Sequence, residues 1–229
     1  MLNSNNKVIA IVDSGIGGIS ILKQLVGKFN TGNFIYFADN KYMPYGNKSK
    51  KFIKNRIFEI LNYLKTTYNV HKIIIACNTA SSCINVKCKN IEILTFDKEK
   101  TYLTTKLTST NLKDYNTIAD KSLAKLIEKH IFDKDILNKI IQKRVIKYKL
   151  NQLKELVLGC THFEMVADIF KKYCPNTKII LNSSFLINKI RYDKPPETNI
   201  KIILSKLNKE YLINLLNNEV MSGKFKWYV

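Results

Sequence analysis

Ile73-Ile-Ile-Ala-Cys77-Asn-Thr-Ala-Ser81 and Leu156-Val-Leu-Gly-Cys160-Thr-His-Phe163 carry one pattern at two distant places in the chain. Each opens as a short aliphatic run, the signature of a strand buried on both faces. Each then breaks at a cysteine with a hydroxyl-bearing residue close behind it, Thr79 in the first and Thr161 in the second, as suits a helix start. Working outward from the first, Val8–Val12, Asn33–Phe37, Lys72–Ala76 and Ile91–Leu94 read as strands. Between them, Ile19–Phe29 keeps Ile21, Leu22 and Leu25 on one helical face. Ser49–Tyr68 does the same with Phe52, Ile53, Ile57, Ile60, Leu61 and Leu64. Strand and helix alternate, which predicts an α/β fold with a parallel sheet covered on both faces.

Outward from the second stretch the pattern is similar but looser. Glu155–Leu158 and Lys178–Leu181 read as strands flanking a helix over Phe163–Tyr173, with further helices at Leu123–Lys129 and Asp133–Tyr148. Thr101–Asn116 is polar and rich in Thr, and supports no assignment. Pro195-Pro196 marks a loop before a last strand at Lys201–Leu204 and a helix at Glu210–Asn218.

In open parallel sheets, ligands bind beyond the carboxyl ends of the strands. Cys77 and Cys160 both stand at such ends. A thiol at a helix start meets backbone N–H groups that favour the thiolate, although a free cysteine is also often a small buried hydrophobe. Asn78, Thr79 and Thr161 are placed to cap these helices or to bind a carboxylate. Asp13-Ser14-Gly15 brings a carboxylate to the same edge. Gly15, Gly17 and Gly18 make a Gly-x-Gly-Gly loop better read as an anion nest than as a dinucleotide fingerprint. Asp39, after the second strand, is a weak candidate for a ribose contact. His162 is either a packed histidine or a proton partner for Cys160.

The chain has 229 residues, enough for one large domain or two small lobes. No apolar run approaches the ~20 residues of a membrane helix. The polar start Met1–Lys7 lacks the features of a signal peptide, so a cytoplasmic protein without membrane attachment is expected. Five cysteines without a C-x-x-C, and only three histidines, make a disulfide framework or a metal site a poor reading. Lys and Arg number 38 against 18 Asp and Glu, a net charge of +20. The lysines are scattered, as compositional drift would leave them, and the charge alone implies attraction of anions and non-specific attraction of nucleic acid.

Four blocks together resemble bacterial glutamate racemase: Asp13-Ser-Gly-Ile-Gly-Gly18, Tyr36-Phe-Ala-Asp39 with Pro44-Tyr-Gly46, Ala76-Cys-Asn-Thr-Ala-Ser81 and Leu158-Gly-Cys-Thr-His-Phe163. They occur in the family's order across most of the chain. Softer matches lie at Thr104–Thr108 and Leu123–Glu128. The resemblance implies two pseudo-symmetric lobes, each a mostly parallel sheet flanked by helices, with the active site in the cleft between them. The first lobe would comprise 1–96 with 186–229 and the second 97–185. It implies racemisation of L- and D-glutamate without cofactor or metal, supplying D-glutamate for peptidoglycan, and it leaves a homodimer open.

By the same resemblance Cys77 and Cys160 are the two bases, supported by Asp13 and by His162 respectively, with Glu128 assisting the latter. Ser14, Tyr45, Gly46, Asn78, Thr79 and Thr161 would hold the substrate, with Thr105 and Thr108 in the same set; Asp13, Cys77, Cys160 and His162 also line it. Departures from the family are a shortened stretch between Cys88 and Thr105, Glu164 in place of a proline, Ala38 and Asn40 flanking Asp39, and Asn182-Ser-Ser184 in place of Asp-Ser-Gly. They bear on lobe packing more than on chemistry. Two other readings stay open. One is an aspartate or broader amino-acid racemase of the same fold. The other is a basic relative without turnover that binds nucleic acid or protein.

Overall fold

Val8–Asp13 (β1) is buried along its whole length. Ile9 and Ile11 face one apolar cluster, Val8, Ala10 and Val12 another, so both faces of the sheet are covered, as an all-parallel sheet requires. These observations come from a computed structural model, which describes residues 7–85, 88–191 and 198–206 and the backbone of 226–228. From β1 the chain continues through Ile19–Phe29 (α1), Asn33–Ala38 (β2), Lys50–Tyr68 (α2), Lys72–Ile75 (β3), Asn78–Cys83 (α3) and Ile91–Ile93 (β4). A second series follows: Thr101–Thr105 (β5), Lys106–Asn111 (α4), Asn116–Asp120 (β6), Leu123–His130 (α5), Lys134–Tyr148 (α6), Glu155–Gly159 (β7), Thr161–Met165 (α7), Ala167–Tyr173 (α8), Lys178–Leu181 (β8) and Asn182–Ile187 (α9). The chain then returns to the first sheet with Asn199–Leu204 (β9) and Lys226–Tyr228 (β10).

The first sheet has the order β10-β9-β2-β1-β3-β4 and the second β6-β5-β7-β8, with every pairing parallel. α1 packs its Ile21, Leu22 and Leu25 on one face of the first sheet, while α2 packs Ile53, Ile57, Ile60 and Leu64 on the other. Ser49 starts α2 by accepting the Phe52 N–H, and Asn69 ends it in a left-handed conformation. The second sheet has its own core of Leu103, Leu123, Ile127, Leu137, Ile141, Leu156, Leu158, Phe163 and Phe170. Among the described residues no helix is long and apolar enough to cross a membrane.

Three expectations change. The Thr-rich stretch left without assignment forms β5, α4 and the start of β6, with Thr104, Thr105 and Thr108 buried. Threonine is β-branched and fits a strand, but its hydroxyl hides that from a hydrophobicity pattern. The single helix expected over Phe163–Tyr173 is two, α7 and α8, parted at Val166, whose φ of −114° and ψ of 25° are not helical. α9 appears where no element was expected. Pro195-Pro196 and the helix expected at Glu210–Asn218 lie outside the described residues.

Candidate active site

β1, β3, β5, β7 and β8 all deliver polar residues at their carboxyl ends, and these residues meet. Asp13, the last residue of β1, accepts the Gly15 N–H at 2.9 Å through one oxygen. Its other oxygen accepts the Thr161 hydroxyl at 3.1 Å, reaching from the first sheet to the start of α7. Cys77 follows β3 and Cys160 follows β7, each as the residue that begins a short helix. Both thiols are buried, at 5% and 6% exposure. They stand near enough that a charge on Cys160 is felt at Cys77.

The glycines of the first loop serve close approach rather than an anion nest. A Cβ on Gly17 would lie 2.5 Å from Thr161 Oγ1 and 2.7 Å from the His162 nitrogen, so α1 and α7 meet with no room for a side chain. Gly46 is similarly close to Thr105, 3.0 Å from its Cβ to a Cβ built on the glycine. The Gly15 N–H is already held by Asp13.

Around Cys160 the side chains form a chain of partners. Glu128, on α5, is hydrogen-bonded to His162 Nε2. His162 Nδ1 faces Cys160 Sγ at 4.0 Å. Burial alone pulls an imidazolium down, but the Glu128 carboxylate and the Cys160 sulfur more than offset it and hold His162 well above its ordinary range. His162 is thus buried with a partner at each ring nitrogen, Glu128 at Nε2 and Cys160 at Nδ1, an arrangement that suits proton exchange.

Around Cys77 the balance differs. Cys77 Sγ donates to Ser14 Oγ at 3.6 Å. Burial pushes this thiol up, and the Asp13 charge adds to it, outweighing the Ala80 N–H and the Ser14 hydroxyl. The helix start was expected to favour the thiolate at Cys77. Desolvation wins instead, and the resting group is a thiol. Asp13 is also raised, by burial first, with His162, Gly15 and Thr161 pulling it back. A carboxylate of raised proton affinity beside a raised thiol suits proton exchange between them.

A third group is made of hydroxyls. The hydroxyls of Thr79, Thr105 and Thr108 form a buried triangle with sides of 3.0, 3.1 and 2.9 Å, Thr79 from α3 and the others from β5 and α4. Three rotatable O–H donors in one place suit a carboxylate. Asn78 meets Asn182 across the same seam at 2.6 Å. Tyr45 is buried, but its hydroxyl donates to Asp39 at 2.6 Å. Asp39 also takes two bonds from Arg56, at 2.9 and 2.8 Å. The ribose role for Asp39 is thereby corrected: its carboxylate is fully engaged in bracing the loop that carries Tyr45 and Gly46.

Glu164 was legible only as a departure from the family. It is buried on α7 and accepts the Ser183 N–H at 3.0 Å and the Ser183 hydroxyl at 2.6 Å. Burial raises its carboxyl from 4.5 to about 7. Because the folded pKa exceeds the unfolded one, the native state binds the extra proton between these values. The stability this gives is full below the unfolded pKa and is lost as pH rises to the folded one. Glu164→Gln should remove that loss, on the order of 3 kcal/mol. Urea unfolding of parent and variant at about pH 5 and about pH 7.5 measures it. Identical pH trends would contradict it.

Comparison with known proteins gives the chain its family. No family model matches the chain. A curated glutamate racemase from Buchnera aphidicola subsp. Schizaphis graminum is 31% identical over 233 residues, covering 87% of this chain and 91% of the relative. The chain belongs to the glutamate racemase family. A glutamate racemase from Thermoanaerobacter pseudethanolicus is 27% identical over 98% of this chain and 88% of its own. Among solved structures, a glutamate racemase isoform from Bacillus anthracis superposes with a TM-score of 0.77 at 17% identity, over 97% of both chains. The Thermus thermophilus glutamate racemase does the same at 19% identity, again with a TM-score of 0.77 and 97% coverage of both chains. At those identities the two structures speak for the fold. As a glutamate racemase family member, the chain has the expected two parallel sheets, and its family motifs fall at the carboxyl ends described above.

Proposed function

We propose that this chain racemises glutamate, interconverting the L and D enantiomers with no cofactor, and so supplies D-glutamate for peptidoglycan precursors in the cytoplasm. One arrangement carries this reading: two buried thiols at corresponding strand ends, one from each sheet, on a seam where the sheets touch through Asp13–Thr161 and Thr79–Thr105. The sheets correspond to two lobes, 1–96 with 186–229 and 97–185, and the substrate lies in the cleft between them. Inverting an α-carbon takes a base on one face and an acid on the other.

Cys160, backed by His162 and Glu128, serves one face. Cys77, backed by Asp13, serves the other. When Cys160 takes the α-proton, the Cys77 thiol gives its own to the opposite face; the reverse reaction exchanges their roles. The charged His162 stabilises a thiolate on Cys160, while Asp13 relieves Cys77 of its proton when that group must act as base. Ser14, the threonine hydroxyls of residues 79, 105, 108 and 161, Asn78, and the Tyr45–Gly46 backbone hold the carboxylates and ammonium. The test is a coupled assay of D-glutamate formed from L-glutamate by protein dialysed against chelator, with no pyridoxal phosphate or nucleotide added. Aspartate in the same assay must turn over more slowly.

The excess of positive charge gives only weak, non-specific contact with nucleic acid, because the lysines are scattered. Binding of duplex DNA is expected to vanish as salt is raised to physiological strength. A sequence-preferring complex that survives that salt would contradict this and favour a binding role.

A further inference from the structure

Asn78 and Asn182 are buried to 1% and 0% exposure, and one hydrogen bond joins them, Asn182 Nδ2 to Asn78 Oδ1 at 2.6 Å. An amide pair has more to offer than one bond. Among the described residues, Asn78 Nδ2 and Asn182 Oδ1 are both buried without a partner. Leaving a buried amide donor or acceptor unsatisfied is costly, so two such atoms on one hydrogen-bonded pair call for an occupant. Asn78 adjoins Cys77, and Asn182 is the first residue after β8, at the same carboxyl edge as Cys160.

The spare atoms are one donor and one acceptor. That is the complement of an amino-acid zwitterion, whose α-carboxylate accepts and whose α-ammonium donates. A dicarboxylate without the ammonium would satisfy only half of the pair.

We propose that Asn182 is a substrate-binding residue, its Oδ1 accepting from the α-ammonium of glutamate while its Nδ2 holds Asn78 so that Asn78 Nδ2 donates to the α-carboxylate. This rests on the racemase reading and adds a residue to its site. Asn182 is held in place from both sides. Glu164 on α7 grips Ser183 through two hydrogen bonds, fixing the first turn of α9. Gln24 on α1 donates to the same Ser183 hydroxyl at 3.0 Å. The residue that grips one end of the pair thus lies four positions beyond Cys160, and the other end lies one beyond Cys77. Both thiol-bearing segments are tied to the group that orients the α-carbon.

The experiment compares the parent chain with Asn182→Leu, which keeps the branched shape and removes both polar atoms, and with Asn182→Thr, which keeps an acceptor oxygen. KM and kcat are measured with L- and with D-glutamate, and each protein is melted with and without saturating D-glutamate. KM is expected to rise at least about tenfold for both enantiomers in Asn182→Leu, the size of a lost hydrogen bond to a charged group. It should rise less in Asn182→Thr, with kcat moving less than KM in both. The ligand-free melting temperature of each variant should stay near the parent's, and the shift produced by glutamate should be lost in Asn182→Leu. If Asn182→Leu fails to fold, the KM of Asn182→Thr decides. A parent-like KM in the folded variants, with the parent racemising glutamate, overturns this inference alone. A parent that neither racemises nor binds glutamate overturns the racemase reading and this inference with it.

Discussion

Cys77→Ala and Cys160→Ala are each expected to abolish racemisation, with kcat lowered by at least about 10³-fold and the fold retained. Neither thiol can stand in for the other, because a base on one face of the α-carbon cannot deliver a proton to the opposite face. Each variant keeps one competent base. It should therefore still exchange the α-proton of one enantiomer, D-glutamate depending on Cys77 and L-glutamate on Cys160 by family resemblance. Serine is a poor replacement at either position, since its hydroxyl is much less acidic than a thiol. The remaining cysteines provide the control. Cys83 is buried on α3 beside Asn111, Cys174 lies in the core of the second sheet, and Cys88 is exposed. Alanine at any of the three should leave kcat close to the parent value. Steady-state kinetics in both directions decide the matter, and racemisation near the parent rate by either Cys77→Ala or Cys160→Ala would refute the two-base account.

The second large effect is expected from one methyl group. Gly17→Ala places a carbon 2.5 Å from Thr161 Oγ1, 2.7 Å from the His162 nitrogen and 2.8 Å from the Thr161 carbonyl carbon. Two of these three atoms are backbone, so no rotamer change relieves the clash. α7 must shift away from α1, taking Cys160 and His162 off their line with Cys77 and Asp13. Misplacement of reacting groups by about 1 Å costs on the order of a hundredfold in rate. kcat/KM for glutamate should fall by about that factor while the protein still unfolds cooperatively. Gly27→Ala is the matched control. Among the described residues nothing lies within 4 Å of a Cβ there, in the last turn of α1. Its activity should be unchanged, with stability raised by about 0.5–1 kcal/mol from helix propensity. Equal activity of the two variants would show that the contact between α1 and α7 does not set the site geometry.

How far the sequence reaches depends on which physical signal each feature leaves. The first sheet was legible because β1, β2 and β3 are short, buried and largely apolar, and because α1 and α2 keep a clean apolar face. The second sheet was legible only where it is aliphatic, at β7 and β8. β5 was hidden by its own threonines, since Thr104 and Thr105 bury hydroxyls in place of methyls. Cys77, Cys160, Asp13 and His162 could be placed at one edge from strand order alone, and the structure brings them together with Glu128 and Thr161. Their proton affinities could not be foreseen. At Cys77 the helix start and desolvation oppose each other, and only the full enclosure shows that desolvation wins. Asp39 misled because position after a strand says nothing of what meets it, which here is Arg56 and Tyr45. Glu164 and Asn182 registered only as departures from the family, and their link through Ser183 exists only once α7 and α9 are packed together.

The measurement that bears most directly on the central claim is proton NMR of L-glutamate turned over in D2O by the purified protein, with chelator present and no cofactor. Two thiols on opposite faces predict that, early in the reaction, D-glutamate appears carrying deuterium at the α-carbon while the remaining L-glutamate keeps its proton. Deuterium entering both pools at equal rates would mean a single base serving both faces, and would contradict the account, as would no D-glutamate at all.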